Sequence, residues 1–257
     1  MLELIKTDER KYRAEYRLAV NRKDGTLLVW IPAGEFEMGD GKATDCPAHR
    51  VHVDGFWMGV YCVTNRQYGR FVKDTKHRIP DKADYGDPVW KNGQCPEAKM
   101  GHPVVCVSHD DCAAYAKWAG LSLPTEAQWE KACRGPKGTI YPWGNEWDDK
   151  KCRNDKNKGN EQTAIVGAYA AGVSGYGTYQ QSGNVWEWCA DWYDKDYYKA
   201  SGVSKNPFGP ATGSSRVYRG GCWRGDGASN FRGADRSYFG PANRNDYLGF
   251  RLVRMVS

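Results

Sequence analysis

The feature that most constrains this chain is its supply of tryptophan, tyrosine and glycine, with 11 Trp, 16 Tyr and 30 Gly in 257 residues. Trp and Tyr bury large apolar areas and carry a polar group that needs a hydrogen-bond partner. Gly adopts backbone conformations that other residues avoid, and it is therefore typical of turns. The combination predicts a fold rich in irregular segments, with aromatic side chains anchoring those segments to a core.

Composition places the chain among ordinary globular proteins. Hydrophobic residues make up 40% and charged residues 26%, which excludes a chain that is disordered throughout. No apolar run approaches the roughly 20 residues that cross a bilayer, so we expect no membrane span. The net charge of +6 is spread along the chain without a Lys/Arg run, which argues against nucleic-acid binding. No heptad pattern or apolar patch indicates self-association, so we expect a monomer.

The nine cysteines predict reduced thiols rather than a disulfide framework or a zinc site. No two of them have the Cys-x-x-Cys spacing of zinc and redox motifs. The charged start of the chain, residues 1–10, lacks the apolar segment of a secretory signal. We therefore expect a chain that is cytoplasmic at synthesis, and its later assembly onto the surface of a virion or cell stays open.

Helical periodicity and capping residues predict three α-helices. Ser or Thr at the first position accepts a hydrogen bond from the backbone three residues later, and an acidic or amide side chain there bonds back. Glycine after the last turn adopts the left-handed conformation that ends many helices. The predicted starts are Thr64, Ser108 with Asp111, and Thr125 with Gln128, and the predicted ends of the second and third helices are Gly120 and Gly135.

Strands are predicted from short apolar or alternating runs bounded by Gly, Pro and Asp. They cover residues 26–31, 50–53, 55–61 and 249–254, and we expect the second and third of these runs to pair across a break at residues 54–55. Helices and strands without regular alternation indicate an α+β fold. No linker divides the chain, so we predict one domain over residues 28–257, preceded by an N-terminal extension, residues 1–27, packed against it.

Several motifs, taken in order along the chain, resemble the formylglycine-generating-enzyme (sulfatase-modifying factor) family. They are Leu123-Pro-Thr-Glu-Ala-Gln-Trp-Glu, Tyr141-Pro-Trp-Gly, Gly183-Asn-Val-Trp-Glu-Trp, Arg219-Gly-Gly and Gly249-Phe-Arg. The resemblance implies a C-type-lectin-like fold with few short helices, short strands and much irregular structure. Because one fold hosts many functions, the function has to be argued from the site.

The resemblance does not extend to the catalytic cysteines. Formylglycine-generating enzymes oxidise a sulfatase cysteine with two copper-binding cysteines, five positions apart, that follow a Gly-Gly-Ser motif. Here residues 223–257 contain no Cys, and Cys222 stands where the family usually has Ser. A copper–thiolate site needs two converging soft ligands. We therefore expect no formylglycine generation and predict no catalytic residue.

A second resemblance is to the variable proteins of diversity-generating retroelements, which share the lectin-like fold. Their C-terminal region is rewritten at adenines, typically in Asn codons that cannot become Lys, Glu, Gln, Met or Trp codons by this route. The segment from Arg224 to Leu248 contains none of those five residue types. We therefore predict a variable region at residues 222–248 and a non-catalytic display protein that binds a macromolecular ligand, either protein or glycan.

In this interpretation Trp223, Phe250 and Arg251 hold the backbone while the side chains between them form a binding face. Tyr238, Phe239 and Tyr247 are the expected hot spots, because aromatic residues give large and rigid contact area. For Phe239 and Leu248 a core position is the alternative. The predicted ligand contacts are Arg224, Gly225, Asp226, Ser229, Asn230, Asp235, Ser237, Tyr238, Phe239, Gly240, Asn245, Asp246, Tyr247 and Leu248.

No cofactor is required in this interpretation, but the family resemblance also implies structural calcium. Its oxygen ligands would come from Gln180, Gly183, Val185 and Glu187, although Gln180 replaces the usual Asn or Asp. The alternative for Glu187 is a buried carboxylate in the Trp-rich core, held by backbone donors. A second family site needs an acid where this chain has Lys158.

A different function stays open beside display. The chain is then a family member with a fixed surface, either catalytically silent or an oxidoreductase-like enzyme of unknown substrate. Its reactive thiol would be Cys189 or Cys222, and such a thiol has to be exposed and to have a lowered pKa. A reverse transcriptase gene and a near-copy of the final coding stretch nearby in the genome would favour display.

Overall fold

Short strands and helices alternate with long irregular segments in the residues that the computed structural model describes, which are 2–5 (backbone only), 16–199, 205–225 and 227–256. The α-helices are α1 (Asn65–Thr75), α2 (His109–Ala119) and α3 (Glu126–Arg134). The strands are β1 (Leu2–Ile5), β2 (Leu18–Asn21), β3 (Leu27–Ile31), β4 (Gly34–Met38), β5 (His49–Val53), β6 (Phe56–Gly59), β7 (Trp186–Trp192), β8 (Arg216–Arg219), β9 (Arg236–Phe239), β10 (Leu248–Gly249) and β11 (Val253–Met255). This arrangement confirms the predicted α+β fold with much irregular structure.

The strands form sheets that join distant parts of the chain. One sheet has the order β1-β2-β3-β6-β11, so strands from both ends of the chain share it. A second has the order β10-β7-β8-β9, with β10 parallel to β7 and the other pairs antiparallel. A third pairs β4 with β5. The predicted variable region, residues 222–248, therefore leaves the second sheet after β8, supplies β9 and returns at β10.

One expectation about strand pairing is wrong. The runs at 50–53 and 55–61 do not pair with each other, because β5 pairs with β4 while β6 lies between β3 and β11. All four residues of β6 are buried, which suits a central strand. Within the predicted N-terminal extension, residues 1–27, β2 pairs with β3 inside the first sheet. Residues 6–15 of that extension lie outside the described residues.

The local helix signals are confirmed. Thr64, Ser108 and Thr125 each cap a helix, and in each case both hydrogen bonds of the capping box are present. Gly120 ends α2 at φ 69°, the left-handed conformation that glycine adopts without strain. Helices α1 and α2 pack their buried faces in a core that includes Tyr68, Tyr115, Trp188 and Phe250, whereas Trp129 of α3 lies in a separate cluster.

Glu187 and Arg251 form a buried ion pair at the centre of the fold. Glu187 of β7 accepts hydrogen bonds from Nε of Arg251 at 2.6 Å and from Nη2 of Arg251 at 2.7 Å. It also accepts one from Nε1 of Trp129 in α3 at 2.8 Å. The Arg251 guanidinium donates further to the carbonyl oxygens of Gly59, Val60 and Tyr179. All the charge is buried and hydrogen-bonded, which is the condition for keeping an ion pair out of water.

A second buried network fixes α3 on the sheet that leads into the predicted variable region. Arg219 of β8 is fully buried and donates to Glu126, Glu130 and the carbonyl oxygens of Gly233 and Ala234. Arg236 of β9 donates to both carboxylate oxygens of Glu126. Burial opposes ionisation of Glu126, but the neighbouring Arg236 and Arg219 hold its pKa below the usual range. The carboxylate therefore stays charged and keeps β8, β9 and α3 together.

The residues predicted to hold calcium have other partners. The Gln180 amide nitrogen donates to the carbonyl oxygens of Ile165 and Ala168 at 3.0 and 3.1 Å. The Glu187 carboxylate is neutralised by Arg251, so its donors are side chains rather than the expected backbone groups. A calcium ion at Gln180, Gly183, Val185 and Glu187 would therefore have to compete with Arg251 for the Glu187 carboxylate, and this site stays a prediction. In the part of the chain described, no cluster of three or more His, Cys, Asp or Glu could hold a metal.

Removal of the Arg251 charge tests the central ion pair. We expect Arg251→Met to lower the free energy of unfolding by about 3–5 kcal/mol, because it leaves the Glu187 carboxylate buried without a counter-charge. Arg50→Met is the matched control, since Arg50 pairs with Glu35 at the surface and such pairs contribute below about 1 kcal/mol. Chemical denaturation measures both values. Equal small losses in the two variants would show that the ion pair does not hold the fold together.

Calcium removal tests the arrangement around Glu187. We expect EDTA followed by excess calcium to move the melting temperature by less than about 1 °C, because the carboxylate is already satisfied by Arg251. A bound ion present at about 100 times its dissociation constant would add about 2.7 kcal/mol, which is several degrees for a chain of this size. Differential scanning calorimetry measures the shift, with magnesium as the matched control ion. A rise of several degrees with calcium alone would mean that the site binds it after all.

Candidate ligand-binding site

Residues of the predicted variable region line one small pocket. Its volume is about 310 Å³, near the lower limit of known small-ligand sites. The lining residues are Tyr85, Trp186, Tyr218, Cys222, Arg224, Gly225, Asn230 and Tyr247. Of the predicted contacts, the structure therefore brings together Arg224, Gly225, Asn230 and Tyr247. A pocket of this size accommodates a single chemical group rather than an extended ligand.

The floor of the pocket is built from aromatic side chains on adjacent strands. Trp186 of β7 and Tyr218 of β8 meet edge to face, with ring centroids 4.9 Å apart. Tyr218 stacks in turn on Phe239 of β9 at 4.7 Å. Tyr218 lies opposite Trp188 and Ser237 in the register, so Trp186 and Phe239 are its diagonal neighbours on the same face of the sheet, which explains the row. The floor is therefore apolar and fixed by the sheet.

The mouth of the pocket carries one cation among aromatic rings. The guanidinium carbon of Arg224 lies 4.3 Å from the ring centroid of Trp223, 5.0 Å from that of Tyr85 and 5.8 Å from that of Tyr247. Its Nη2 donates to Oδ2 of Asp246 at 2.8 Å. Burial opposes the charge of Arg224, but Asp246 raises its pKa above the ordinary value. The guanidinium is therefore charged and fixed in place.

Tyr85 lines the pocket but is not among the ligand contacts predicted from the sequence. It lies in the long loop before α2, and this loop is held against the end of the variable region. The backbone N–H of Asp246 donates to the carbonyl oxygen of Tyr85, and the backbone N–H of Asp87 donates to Oδ2 of Asp246. Gly86, at φ 82°, lies so close that a Cβ would come within 2.1 Å of the Asp246 carboxylate. No local pattern marks Tyr85, since its partners are distant in sequence.

Asn245, Asp246 and Leu248, which were predicted as ligand contacts, are buried and present no surface to a ligand. The carbonyl oxygen of Asn245 accepts the N–H of Cys106, and its side chain donates to the Tyr247 hydroxyl. Asp246 faces the loop that carries Tyr85 and has no exposed surface. Leu248 pairs with Trp186 as part of β10 and packs in the main core. The core alternative is therefore confirmed for Leu248.

Other predicted contacts lie away from the pocket lining. Tyr238 faces the opposite side of β9 from Phe239 and stacks on Tyr193 at 3.9 Å, with 49% of its surface exposed. Ser237 donates to the Tyr218 hydroxyl, and Phe239 packs against the core, as its alternative stated. Because successive residues of β9 alternate between its faces, Tyr238 cannot share a surface with Ser237 and Phe239.

The remaining predicted contacts are in loops and turns. Asp235 pairs with Arg232, and Gly240 accepts the N–H of Asn243 in a turn. Ser229 is exposed beside Asn230, and its hydroxyl donates to the Asn230 side chain at 3.4 Å. Asp226 lies outside the described residues. Ser229 therefore extends the exposed rim next to the pocket, whereas Asp235 and Gly240 are not pocket residues.

The thiols are not placed for catalysis. All nine cysteines are buried and unpaired. Burial raises the pKa of Cys222, which lies at the pocket, to about 11. Burial raises the pKa of Cys189 well above its ordinary value. A reactive cysteine needs an accessible thiolate near neutral pH, and neither residue supplies one.

Curated relatives match most of the chain. It is 34% identical over 280 residues to the formylglycine-generating enzyme of Streptomyces coelicolor, and the match covers 88% of each protein. It is also 34% identical over 245 residues to the serine/threonine-protein kinase Pkn1 of Chlamydia trachomatis. That match covers 90% of this chain but only 38% of the kinase. The chain thus spans well under half the length of this second relative.

Solved structures show the same fold. PvdO from Pseudomonas aeruginosa superposes with a TM-score of 0.77 at 25% identity, covering 93% of this chain and 98% of PvdO. Treponema denticola variable protein 1 gives a TM-score of 0.74 at 22% identity, with the same coverage of 93% and 98%. The family profile of the sulfatase-modifying factor enzyme 1-like domain matches residues 16–256. This chain therefore belongs to the family of the sulfatase-modifying factor enzyme 1-like domain, whose members include the formylglycine-generating enzymes.

Proposed function

We propose that this chain is a ligand-binding member of its family and does not use thiol chemistry. The pocket that carries Arg224 at its mouth, called the Arg224 pocket below, binds part of a macromolecule. The observation that carries the proposal is the convergence of Arg224, Gly225, Asn230 and Tyr247 on one open pocket. All of them come from the segment that resembles the variable region of retroelement variable proteins. The proposal therefore also assigns the chain the role of such a variable protein.

The packing around the pocket supports variation at its rim. Asn230 is exposed and Arg224 and Tyr247 are only partly covered, whereas Trp223, Phe250 and Arg251 are buried on either side. Side chains that contribute little to the core can be exchanged at small cost in stability. The backbone of the segment is held from beneath by Arg219 and Arg236 and from its end by Arg251. The fold therefore does not depend on the side chain at an exposed rim position such as Asn230, whereas Arg224 also neutralises buried Asp246.

The character of the exposed residues favours a macromolecular partner. The pocket holds only one group, so a useful affinity requires further contacts around it. Ser229, Asn230 and Tyr85 are exposed next to it. Aromatic residues with adaptable Ser, Asn and Gly neighbours are typical of antibody-like binding surfaces. A protein or a glycan on a larger particle would supply those contacts.

A second candidate function follows from the position of Cys222 at the pocket. Relatives at 34% identity bear the name of an enzyme, and a thiol at the pocket would be the residue to use. The burial of Cys222 and the raised pKa of its thiol speak against this function. A copper–thiolate pair of the family type also lacks its ligands, since residues 223–257 contain no Cys.

Thiol labelling separates the two candidates. We expect the native chain to react with an aromatic disulfide reagent at less than one thiol in the fast phase, because all nine cysteines are buried. The unfolded chain should react at all nine. Asn230→Cys is the matched control, since this position is exposed at the pocket and should add one fast thiol. Fast labelling of Cys222 in the unmodified chain would favour the enzyme.

Exchange of the rim residues tests the display scaffold. We expect the double variant Ser229→Tyr and Asn230→Tyr to melt within about 4 °C of the parent, because both side chains are exposed and outside the core. Leu248→Asn is the matched control from the same segment, and it should lose about 10 °C because it buries a polar group. Circular dichroism measures both. A double variant that melts as early as Leu248→Asn would rule out a variable rim.

A further inference from the structure

The positive charge of Arg224 limits the chemical class of ligand that the pocket binds. This inference rests on the proposed binding function. Arg224 uses Nη2 for Asp246, while its Nε and Nη1 make no hydrogen bond within the described part of the chain. The side chain is 34% exposed. The pocket mouth therefore presents charged donors whose positions are already fixed. Such donors bind a carboxylate more strongly than a neutral acceptor.

The counter-charge of Arg224 is hidden from the pocket. Asp246 has no exposed surface, and its Oδ2 accepts hydrogen bonds from the Asp87 N–H and the Gln162 amide as well as from Arg224. Its Oδ1 lies against Gly86. Of the described residues that line the pocket, none is acidic. A ligand therefore meets the guanidinium and not the carboxylate behind it.

Aromatic rings supply the rest of the pocket surface. Tyr85 and Tyr247 meet at 65° with centroids 5.9 Å apart, so they form a corner beside the guanidinium. Trp186 and Tyr218 close the floor. Tyr85 is 57% exposed, and a ring placed in the corner would cover it. Edge-to-face and offset contacts with a ligand ring are favourable in such a corner.

We propose that the pocket binds a ring-bearing carboxylate, with the ring in the corner of Tyr85 and Tyr247 and the carboxylate accepting hydrogen bonds from Arg224. A volume of about 310 Å³ suits one such group. On a protein this chemistry occurs at a chain that ends in an aromatic residue. The same chemistry occurs in a free aryl acid. A glycan lacking an acid would use the rings but not the charge.

A matched pair of small probes tests the charge requirement. N-acetyltryptophan and N-acetyltryptophan amide share the ring and differ in the carboxylate, so nuclear magnetic resonance titration of the folded chain compares their affinities directly. We expect the acid to bind about fivefold tighter at low salt, because the Arg224 hydrogen bonds are charge-assisted. High salt should reduce the difference, since the guanidinium is partly exposed to solvent. Equal affinity of acid and amide would overturn the proposal.

Variants at Arg224 assign the effect to this residue. The double variant Arg224→Gln with Asp246→Asn removes both charges together, so no buried carboxylate is left unpaired, and it should lose the preference for the acid. Arg224→Lys keeps the charge and should retain part of the preference. Arg50→Gln, at a distant exposed ion pair, is the control and should retain all of it. A preference that survives in the double variant contradicts the assignment to Arg224.

Further probes distinguish the two sources and separate this proposal from the proposed function. Gly-Gly-Trp with a free C-terminus binding tighter than indole-3-acetate points to a protein chain end, whereas the reverse order points to a free acid, and both orders support the ligand class. Binding of N-acetylglucosamine without binding of either indole probe overturns it in favour of a glycan. In that case the melting behaviour of the rim variant still stands as a separate test of the scaffold.

Discussion

The fold depends on the buried Glu187–Arg251 ion pair. A chain with so much irregular structure has few backbone ladders to hold it, and its polar groups still need partners. The guanidinium of Arg251 has five N–H donors in a rigid fork. It donates hydrogen bonds to Glu187 and to the carbonyl oxygens of Gly59, Val60 and Tyr179. One side chain near the C-terminus thereby joins β6, β7 and the loop before β7.

Three other buried arginines hold loops in the same way. Arg153 donates to carbonyl oxygens at Asn157, Lys158, Glu161 and Gln162. Arg134 does so for several turns around β4 and the end of α3, and Arg219 for the turn before β9. Fixed guanidinium groups inside the molecule thus replace the contacts that loop side chains usually make with one another. This explains how a surface segment is held in place while its outward side chains contribute little to the fold.

Local signals in the sequence were sufficient for the helices and for part of the site. The capping boxes at Thr64, Ser108 and Thr125 involve residues three positions apart, so they are readable from the chain alone. The pairing of β6 and the burial of Asn245 and Asp246 depend on contacts between residues that are distant in sequence. Local patterns in the sequence therefore do not indicate them. Tyr85 was missed for the same reason. The fold could be predicted from the family motifs, because a motif shared with a family implies the long-range contacts of that family's fold.

The pocket divides into a part that the fold determines and a part that it does not. Trp186 and Tyr218 are side chains of paired strands, and Tyr85 is held by the backbone and carboxylate of buried Asp246. Exchange of these residues would disturb the sheet or the loop. Of the rim residues, Asn230 has no such role, whereas Arg224 is also the counter-charge of buried Asp246, so its charge can change only together with that partner. Sequence change confined to the rim therefore alters the charge and hydrogen bonding that a ligand meets, while the aromatic floor beneath it stays constant.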